Sequence, residues 1–362
     1  MTTTDTGARR HSVFHRLAVS AVERLTDDAV AVTFEVPPGL RAEYDFAPGQ
    51  HVNVSMPGDD DTRRSYSICA SPGDGRLRIA VKRIPEGTFS AFALESLTPG
   101  DELDVMTPAG RFTLALDPAQ AKQYVAIAAG SGITPILSIV TAALETEPTS
   151  RVTLLYGNRT SRTVMFLDEL ADLKDRFPER FHLIHVLSRE AQEADLLSGR
   201  IDADRLTRML DTLVPPSSID EWYLCGPYEL VTDARKVLAA RGVDPAHVHS
   251  ELFHVGDLPA RRVEIAAPQA GSEVSILLDG RKSQVTISDP DETVLEAVLR
   301  VRNDAPFACK GGVCGTCRAK VLGGSVAMER NYALEADEVS SGYVLTCQSH
   351  PTTETVSLDY DA

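Results

Sequence analysis

Positive charge is scarce in this chain of 362 residues: 36 lysines and arginines face 52 aspartates and glutamates, a formal net charge of −16 at pH 7. A nucleic-acid partner would want a basic face, so none is expected. Long apolar runs are missing as well, and none approaches the roughly 20 residues that span a bilayer. The opening run MTTTDTGARR lacks the apolar stretch of a signal peptide. The expectation is a chain with no transmembrane segment, whose membrane contacts, if any, are peripheral. Cysteine is sparse too, six in all, with no short cysteine-dense repeats of the kind that build a disulfide framework.

Four of the six cysteines nevertheless share one spacing. Cys309, Cys314 and Cys317 form C-x4-C-x2-C, and Cys347 follows after 29 intervening residues. This is the plant-type [2Fe-2S] ligand pattern. Three thiolates must converge on one small cluster while the backbone between them passes close to it. The loop from Ala308 to Cys317 accordingly carries Gly311, Gly312 and Gly315, a residue type that tolerates φ > 0 and close approach. Backbone N–H groups of such a loop can bond the sulfurs and help set the potential. Zinc is the competing reading, but zinc modules pair two short cysteine knuckles, whereas here three ligands share one loop and the fourth is single. A cluster on free thiolates implies one-electron chemistry and suits a reducing, cytoplasmic compartment.

The length suits two or three domains. From Phe14 to about Leu116 short alternating segments separated by Gly and Pro suggest an antiparallel β-barrel or sandwich. From Gln123 the pattern changes: apolar strands (YVAIAAG, RVTLLYGNR, FHLIHVLSR, EWYL) alternate with helical segments, as in a mostly parallel α/β sheet buried on both faces. PARRVEIAAPQAG reads as a linker. Beyond it SEVSILLDGRKSQVTIS predicts a hairpin turning at Asp279-Gly280, and ETVLEAVLRVR a short helix just before the cysteine loop. The implied boundaries are 1–118, 119–258, a linker at 259–270, and 271–362.

The first α/β strand runs into Gly130-Ser131-Gly132-Ile133-Thr134-Pro135. A glycine-rich turn between strand and helix lets backbone approach a pyrophosphate, and the helix start offers unpaired N–H donors. Taken alone, the run is equally a tight turn. Cys225-Gly226-Pro227 directly follows the strand EWYL, at the strand end where such sheets hold ligands. Cys225 faces the nicotinamide on this reading, or is a small buried hydrophobe. The loop after the second strand, Asn158-Arg159-Thr160-Ser161-Arg162, has two arginines and no acid. That favours a 2′-phosphate, hence NADPH, with NADH possible because surface arginines are often merely solvated. In the barrel, Arg64-Ser65-Tyr66-Ser67 is ordinary sheet decoration or a cofactor strand. Nicotinamide delivers two electrons together and the cluster takes one, so a converter is needed, and flavin is suited to that step.

These motifs together resemble the ferredoxin-NADP reductase superfamily: Arg64-x-Tyr66-Ser67, Gly130-Ser131-Gly132-Ile133-Thr134-Pro135, Tyr156-Gly157-Asn158-Arg159 and Cys225-Gly226-Pro227. A C-terminal ferredoxin module narrows the likeness to oxygenase reductases with the flavin domain first and the cluster last. FACKGGVCGTCRAKV, MERNYALEADEV and GYVLTCQSHP are similar to the reductases of ring-epoxidising diiron oxygenases. The resemblance implies a multidomain fold: an antiparallel β-barrel FAD domain, an α/β parallel-sheet nicotinamide domain, and a β-grasp-like α+β ferredoxin domain. It places FAD against Arg64, Ser65, Tyr66, Ser67, Val81, Lys82, Gly87, Thr88 and Ser90. NADPH falls to Gly130, Ser131, Gly132, Thr134, Pro135, Asn158, Arg159, Arg162, Cys225, Gly226 and Pro227. Phe253, in Glu251-Leu252-Phe253, reaches toward the flavin. No acid or base side chain is obligatory. The implied partner is the diiron oxygenase component of an epoxidase built from several subunits, which would itself bind phenylacetyl-CoA. A reductase for a Rieske oxygenase, as in steroid 9α-hydroxylation with NADH, and an iron-sulfur sensory or interaction protein are the alternatives.

Overall fold

The computed structural model describes residues 13–254 and 271–362. The expected linker at 259–270 lies outside the described residues. Two compact units result, one within His15–Asp257 and one within Leu258–Ala362.

Six strands open the first unit: β1 (Phe14–Thr26), β2 (Ala29–Glu35), β3 (His51–Met56), β4 (Asp59–Ser67), β5 (Leu77–Lys82) and β6 (Glu102–Met106), with helix α1 (Thr88–Glu95) between the last two. Their order is β4-β3-β6-β1-β2-β5. The two edges meet just beyond β4, where Ile68 bridges Ile79 and the Cys69 N–H donates to the Arg78 carbonyl at 2.9 Å. Closure of this kind removes the unpaired edges an open sheet would expose. Alternate residues point inward, as strand geometry requires: Val30, Val32 and Phe34 of β2 and Leu77, Ile79 and Val81 of β5 share one core with Phe89 of α1.

The same unit continues with β7 (Gln123–Ala129), α2 (Ile133–Thr146), β8 (Arg151–Asn158), α3 (Leu167–Arg176), β9 (Phe181–Leu187), α4 (Ala203–Thr212), β10 (Glu221–Pro227), α5 (Tyr228–Ala240) and β11 (Val248–His254). All five strands are parallel, in the order β11-β10-β7-β8-β9. Both faces are covered. Tyr124, Ala126 and Ala128 of β7 enter one core and Val125 and Ile127 another, which is why the strand reads as a continuous apolar run. The chain moves outward from β7 to β9, then returns to lay β10 on the other side of β7. That reversal opens a crevice at the carboxyl ends of β7 and β10.

Barrel and sheet read as separate domains in the sequence, yet they pack as one unit. Ala29, Cys69 and Ala80 of the barrel side share a core with α2, and the Ser138 hydroxyl donates to the Ala70 carbonyl at 2.7 Å. Arg78, 5% exposed, reaches from β5 to Glu169 of α3 at 2.9 Å and to Glu23 at 2.8 Å. A buried guanidinium with two carboxylates is costly to strand alone, so this contact also fixes the pair's orientation.

The second unit holds β12 (Glu273–Leu278), β13 (Arg281–Thr286), α6 (Val294–Leu299), β14 (Arg318–Gly323), β15 (Val326–Met328), α7 (Ala336–Ser340), β16 (Tyr343–Leu345), β17 (Ser349–Pro351) and β18 (Thr355–Asp359). The main sheet runs β13-β12-β18-β14-β16, with β12 and β18 parallel and the other neighbours antiparallel. The hairpin turns at Asp279 and Gly280 as expected, both left-handed (φ 55° and 68°), the geometry of a two-residue turn that matches strand twist. Thr293 and Glu296 form a reciprocal capping box that starts α6 where the sequence predicts a helix. Val294, Leu295, Ala297 and Val298 then pack the helix onto the sheet beside Cys317 and Cys347.

Candidate functional site

The crevice between β7 and β10 gathers the first predicted group. Gly130 is left-handed (φ 54°) with open space around its Cα, and Gly132 lies against the other strand. A Cβ on Gly132 would stand 2.3 Å from the Cys225 carbonyl oxygen and 2.8 Å from the Gly226 nitrogen. Only glycine lets the two turns touch. The Tyr156 hydroxyl donates to the Gly130 carbonyl at 3.0 Å and the Thr134 hydroxyl to Ser131 at 3.1 Å, so the turn is braced from β8 and from within α2. Thr134 and Pro135 are buried in the first turn of α2, whereas Ser131 is partly exposed. The crevice therefore presents backbone, with Gly226-Pro227 opposite, and backbone donors at a helix start suit a pyrophosphate.

The Cys225 side chain belongs to the core, and burial holds its thiol well above the ordinary range, reinforced by Glu251. It is a neutral, small hydrophobe in the crevice wall. Glu251 is the residue that sequence reasoning passed over. It is Cα partner to Cys225 across β10 and β11, and its carboxylate accepts from the Ser67 hydroxyl at 3.0 Å. Ser67 ends the arginine-tyrosine strand of the barrel, so this one bond joins the two cofactor motifs. Withdrawal from water raises the Glu251 pKa to about 7, against the opposing pull of Ser67. The only signal in the sequence was its place in Glu251-Leu252-Phe253. Phe253 itself is partly buried against the α/β core.

A carboxyl with a raised folded pKa favours the fold most when protonated. Its contribution is complete below the ordinary carboxylate pKa and is lost as pH climbs through about 7. Glu251→Gln keeps an acceptor for Ser67 without the titration. The expected result is a melting-temperature advantage over wild type that is absent below the ordinary carboxylate pKa of 4.5, grows as pH rises toward about 7 and levels off above it. A difference independent of pH, followed by calorimetry, would assign the titration elsewhere.

On the barrel, Tyr66 packs on Phe89 with ring centroids 5.5 Å apart, which ties β4 to the start of α1. Arg64 is exposed beside it. Gly87 caps α1 without a side-chain bond, and a Cβ there would meet the Ser90 hydroxyl at 2.7 Å. An exposed cation, a half-buried aromatic ring and an uncapped helix start fit a flavin dinucleotide. Three predicted residues also make contacts within the scaffold. Val81 is fully buried in the barrel core, Lys82 pairs with Asp28 at 3.5 Å, and Ser90 holds the loop through the Ile84 N–H and the Gly87 carbonyl. Thr88 is exposed, and the Ser65 hydroxyl donates to the buried Asn53.

At the far end of the sheet Asn158 is buried, while Arg159 and Arg162 are exposed. The strand next door adds Arg189, whose backbone N–H donates to the Arg159 carbonyl at 2.7 Å. It also adds an acid that the sequence of the second-strand loop does not contain. Glu190 accepts from the Ser161 N–H at 2.8 Å and from its hydroxyl at 2.9 Å.

In the second unit the cysteine loop is left-handed at Lys310 (φ 49°), Gly312 (77°) and Gly315 (69°). The sequence marks Gly311 for this role, but Lys310 takes it. The four thiols pair two and two, Cys309 with Cys314 and Cys317 with Cys347. Among the described residues no three His, Cys, Asp or Glu side chains converge on a single metal ion. Two irons want two thiolates each, and this pairing supplies them, so the arrangement fits a [2Fe-2S] cluster. Cys309 is held well below the ordinary thiol range, first by the hydrogen bond from Cys314, then by backbone N–H groups including Gly311.

Comparison with known proteins agrees with this geometry. An oxidoreductase FAD-binding domain matches residues 16–114, an oxidoreductase NAD-binding domain residues 126–236, and a 2Fe-2S iron-sulfur cluster binding domain residues 276–352. One of the subunits of 1,2-phenylacetyl-CoA epoxidase from Escherichia coli K12 is 45% identical over 354 residues, covering 97% of this chain and 99% of that protein. The chain belongs to the ferredoxin-NADP reductase superfamily. The superfamily's oxygenase reductases also include the ferredoxin reductase component of 3-ketosteroid-9-alpha-monooxygenase from Rhodococcus rhodochrous, 32% identical over 99% of this chain and all of that one. Among solved structures, phthalate dioxygenase reductase aligns with a TM-score of 0.59 at 25% identity, over 96% of this chain and 98% of its own. As a member of this superfamily the chain is an electron-transfer oxidoreductase with FAD-binding, nicotinamide-binding and [2Fe-2S] domains in that order. Among the described residues no helix is long and apolar enough to cross a membrane.

Proposed function

We propose that this chain is the reductase component that carries electrons from NADPH, through FAD and the [2Fe-2S] cluster, to the diiron oxygenase of a phenylacetyl-CoA epoxidase in phenylacetate degradation. The observation that carries it is the 45% identity to the E. coli epoxidase protein across nearly the whole of both chains, against 32% for the ketosteroid reductase component. When bound, the flavin takes two electrons together and releases them singly. The residues supply position. Arg64, Tyr66, Ser67 and the start of α1 hold FAD within 1–118; the Gly130–Pro135 and Cys225–Pro227 turns hold the nicotinamide nucleotide within 119–258; Cys309, Cys314, Cys317 and Cys347 hold the cluster within 271–362. Phenylacetyl-CoA binds the oxygenase, and the free thiolates suit a reducing, cytoplasmic setting. Reconstitution tests it: the chain with the E. coli-type oxygenase subunits, NADPH and phenylacetyl-CoA should give ring epoxide, and turnover only with a Rieske oxygenase would sink the assignment.

Glu190 favours a second reading of the nucleotide, because an acid near the adenosine ribose suits NADH. Three arginines against one carboxylate decide for NADPH. Changing Arg159 and Arg162 together to alanine should raise KM for NADPH about tenfold, as loss of hydrogen bonds to a charged group does, and for NADH less than about twofold. Equal increases in steady-state assays would remove the 2′-phosphate from these side chains.

A further inference from the structure

Gln348 follows the fourth cluster ligand and is 7% exposed. Its side-chain amide donates to the Lys310 carbonyl at 2.9 Å and to the Cys347 carbonyl at 2.8 Å, and its nitrogen lies 3.7 Å from the Cys347 sulfur. One buried amide thus spans the two segments that carry the ligands. The Lys310 carbonyl belongs to the same peptide plane as the Gly311 N–H, and in a trans peptide the two point in opposite directions. The Gly311 N–H points at the Cys309 sulfur, 3.3 Å away, and the Cys314 N–H reaches the same sulfur at 3.4 Å.

We infer that Gln348 is a positioning residue that fixes the Lys310–Gly311 peptide plane and thereby sets the cluster's reduction potential. The plane needs fixing. Lys310 is left-handed, a conformation that a side-chain-bearing residue adopts only when its surroundings hold it. Its side chain is anchored with Nζ 4.9 Å from the centre of the Phe307 ring, and its carbonyl is anchored by Gln348. Gly312 completes the fit, since a Cβ there would press on Gln348 Cγ at 3.1 Å and on the Arg330 carbonyl at 3.2 Å. A backbone donor aimed at a ligand sulfur stabilises the reduced cluster, which carries one more negative charge, more than the oxidised one. Losing that aim makes the cluster harder to reduce. The fourth ligand responds to the same change, because the amide that holds the loop also holds the Cys347 backbone.

Two variants of the full FAD- and cluster-loaded chain test this. Gln348→Met keeps the volume and removes the donor. Gln348→Asn keeps an amide next to Cys347 but, one methylene shorter, gives up the reach to Lys310. Spectroelectrochemical titration should show a lower potential in each, about tenfold in the equilibrium constant for accepting one electron, or about 59 mV. The g-values of the reduced cluster should shift as well. Flavin reduction by NADPH, which belongs to the other unit, should keep its wild-type rate. Gln348→Asn is the milder change, so it decides the matter if Gln348→Met fails to load iron. A wild-type potential and spectrum in an iron-loaded Gln348→Asn protein overturns the inference, as does an upward shift in either variant.

Discussion

Cys314→Ala should leave a protein that bleaches its flavin with NADPH at close to the wild-type rate yet passes electrons to the oxygenase at least about a hundredfold more slowly. The paired thiols carry the argument. Cys314 is the partner of Cys309, so its loss leaves one iron with a single protein ligand, and alanine offers no substitute atom. The flavin strand and the nicotinamide crevice belong to the other compact unit, which folds around cores of its own. Stopped-flow absorbance separates the two steps, since flavin and cluster bleach at different wavelengths. Loss of flavin reduction in an FAD-loaded Cys314→Ala protein would mean that the cluster precedes the flavin, and the order of transfer would have to be reversed.

Gly132→Ala should slow flavin reduction by NADPH about a hundredfold while reduction by dithionite stays normal. The new Cβ would lie 2.3 Å from the Cys225 carbonyl oxygen and 2.6 Å from its carbon. Both are backbone atoms at the end of β10 and cannot rotate away, so the two turns must separate by about 1 Å. A misplacement of that size is enough to cost about two orders of magnitude where a reaction depends on position. Overpacking should also lower stability by about 1–3 kcal/mol, a fall of several degrees in melting temperature for a unit of this size. Gly130→Ala is the informative contrast. It meets no atom within 4 Å and carries only the strain of a left-handed φ of 54°. Its effect on flavin reduction should be much smaller. Equal losses in the two variants would show that backbone strain, and not the contact with Cys225, governs the crevice.

Much of the candidate site was legible because its chemistry depends on local spacing. Cys309, Cys314 and Cys317 lie within one loop, and Gly130-Ser131-Gly132 lies between one strand and the helix it starts. Residues assembled from distant strands were harder to see. Glu251 reads as an ordinary acid until β11 lies beside β10 and Ser67 arrives from the barrel 184 positions away. Glu190 and Arg189 stand in a different loop from Arg159, and only the pairing of β8 with β9 brings them together. The motif match also names Val81 and Ser90, and only the structure shows that strand alternation buries the first side chain and that a loop bond engages the second.

By itself the sequence determined the three kinds of fold, their order along the chain, the cluster ligands and the need for a flavin between two-electron and one-electron carriers. Periodicity, turn chemistry and ligand spacing are short-range properties, and they survive in a linear string. Tertiary structure decided that the barrel closes through Ile68 and Ile79, and that barrel and sheet pack as one unit around α2 and Arg78. It decided the pairing of the thiols, the raised pKa of Glu251 and the amide bridge from Gln348 to Lys310. Each of these depends on burial or on the approach of groups far apart in sequence, and local patterning carries no measure of either.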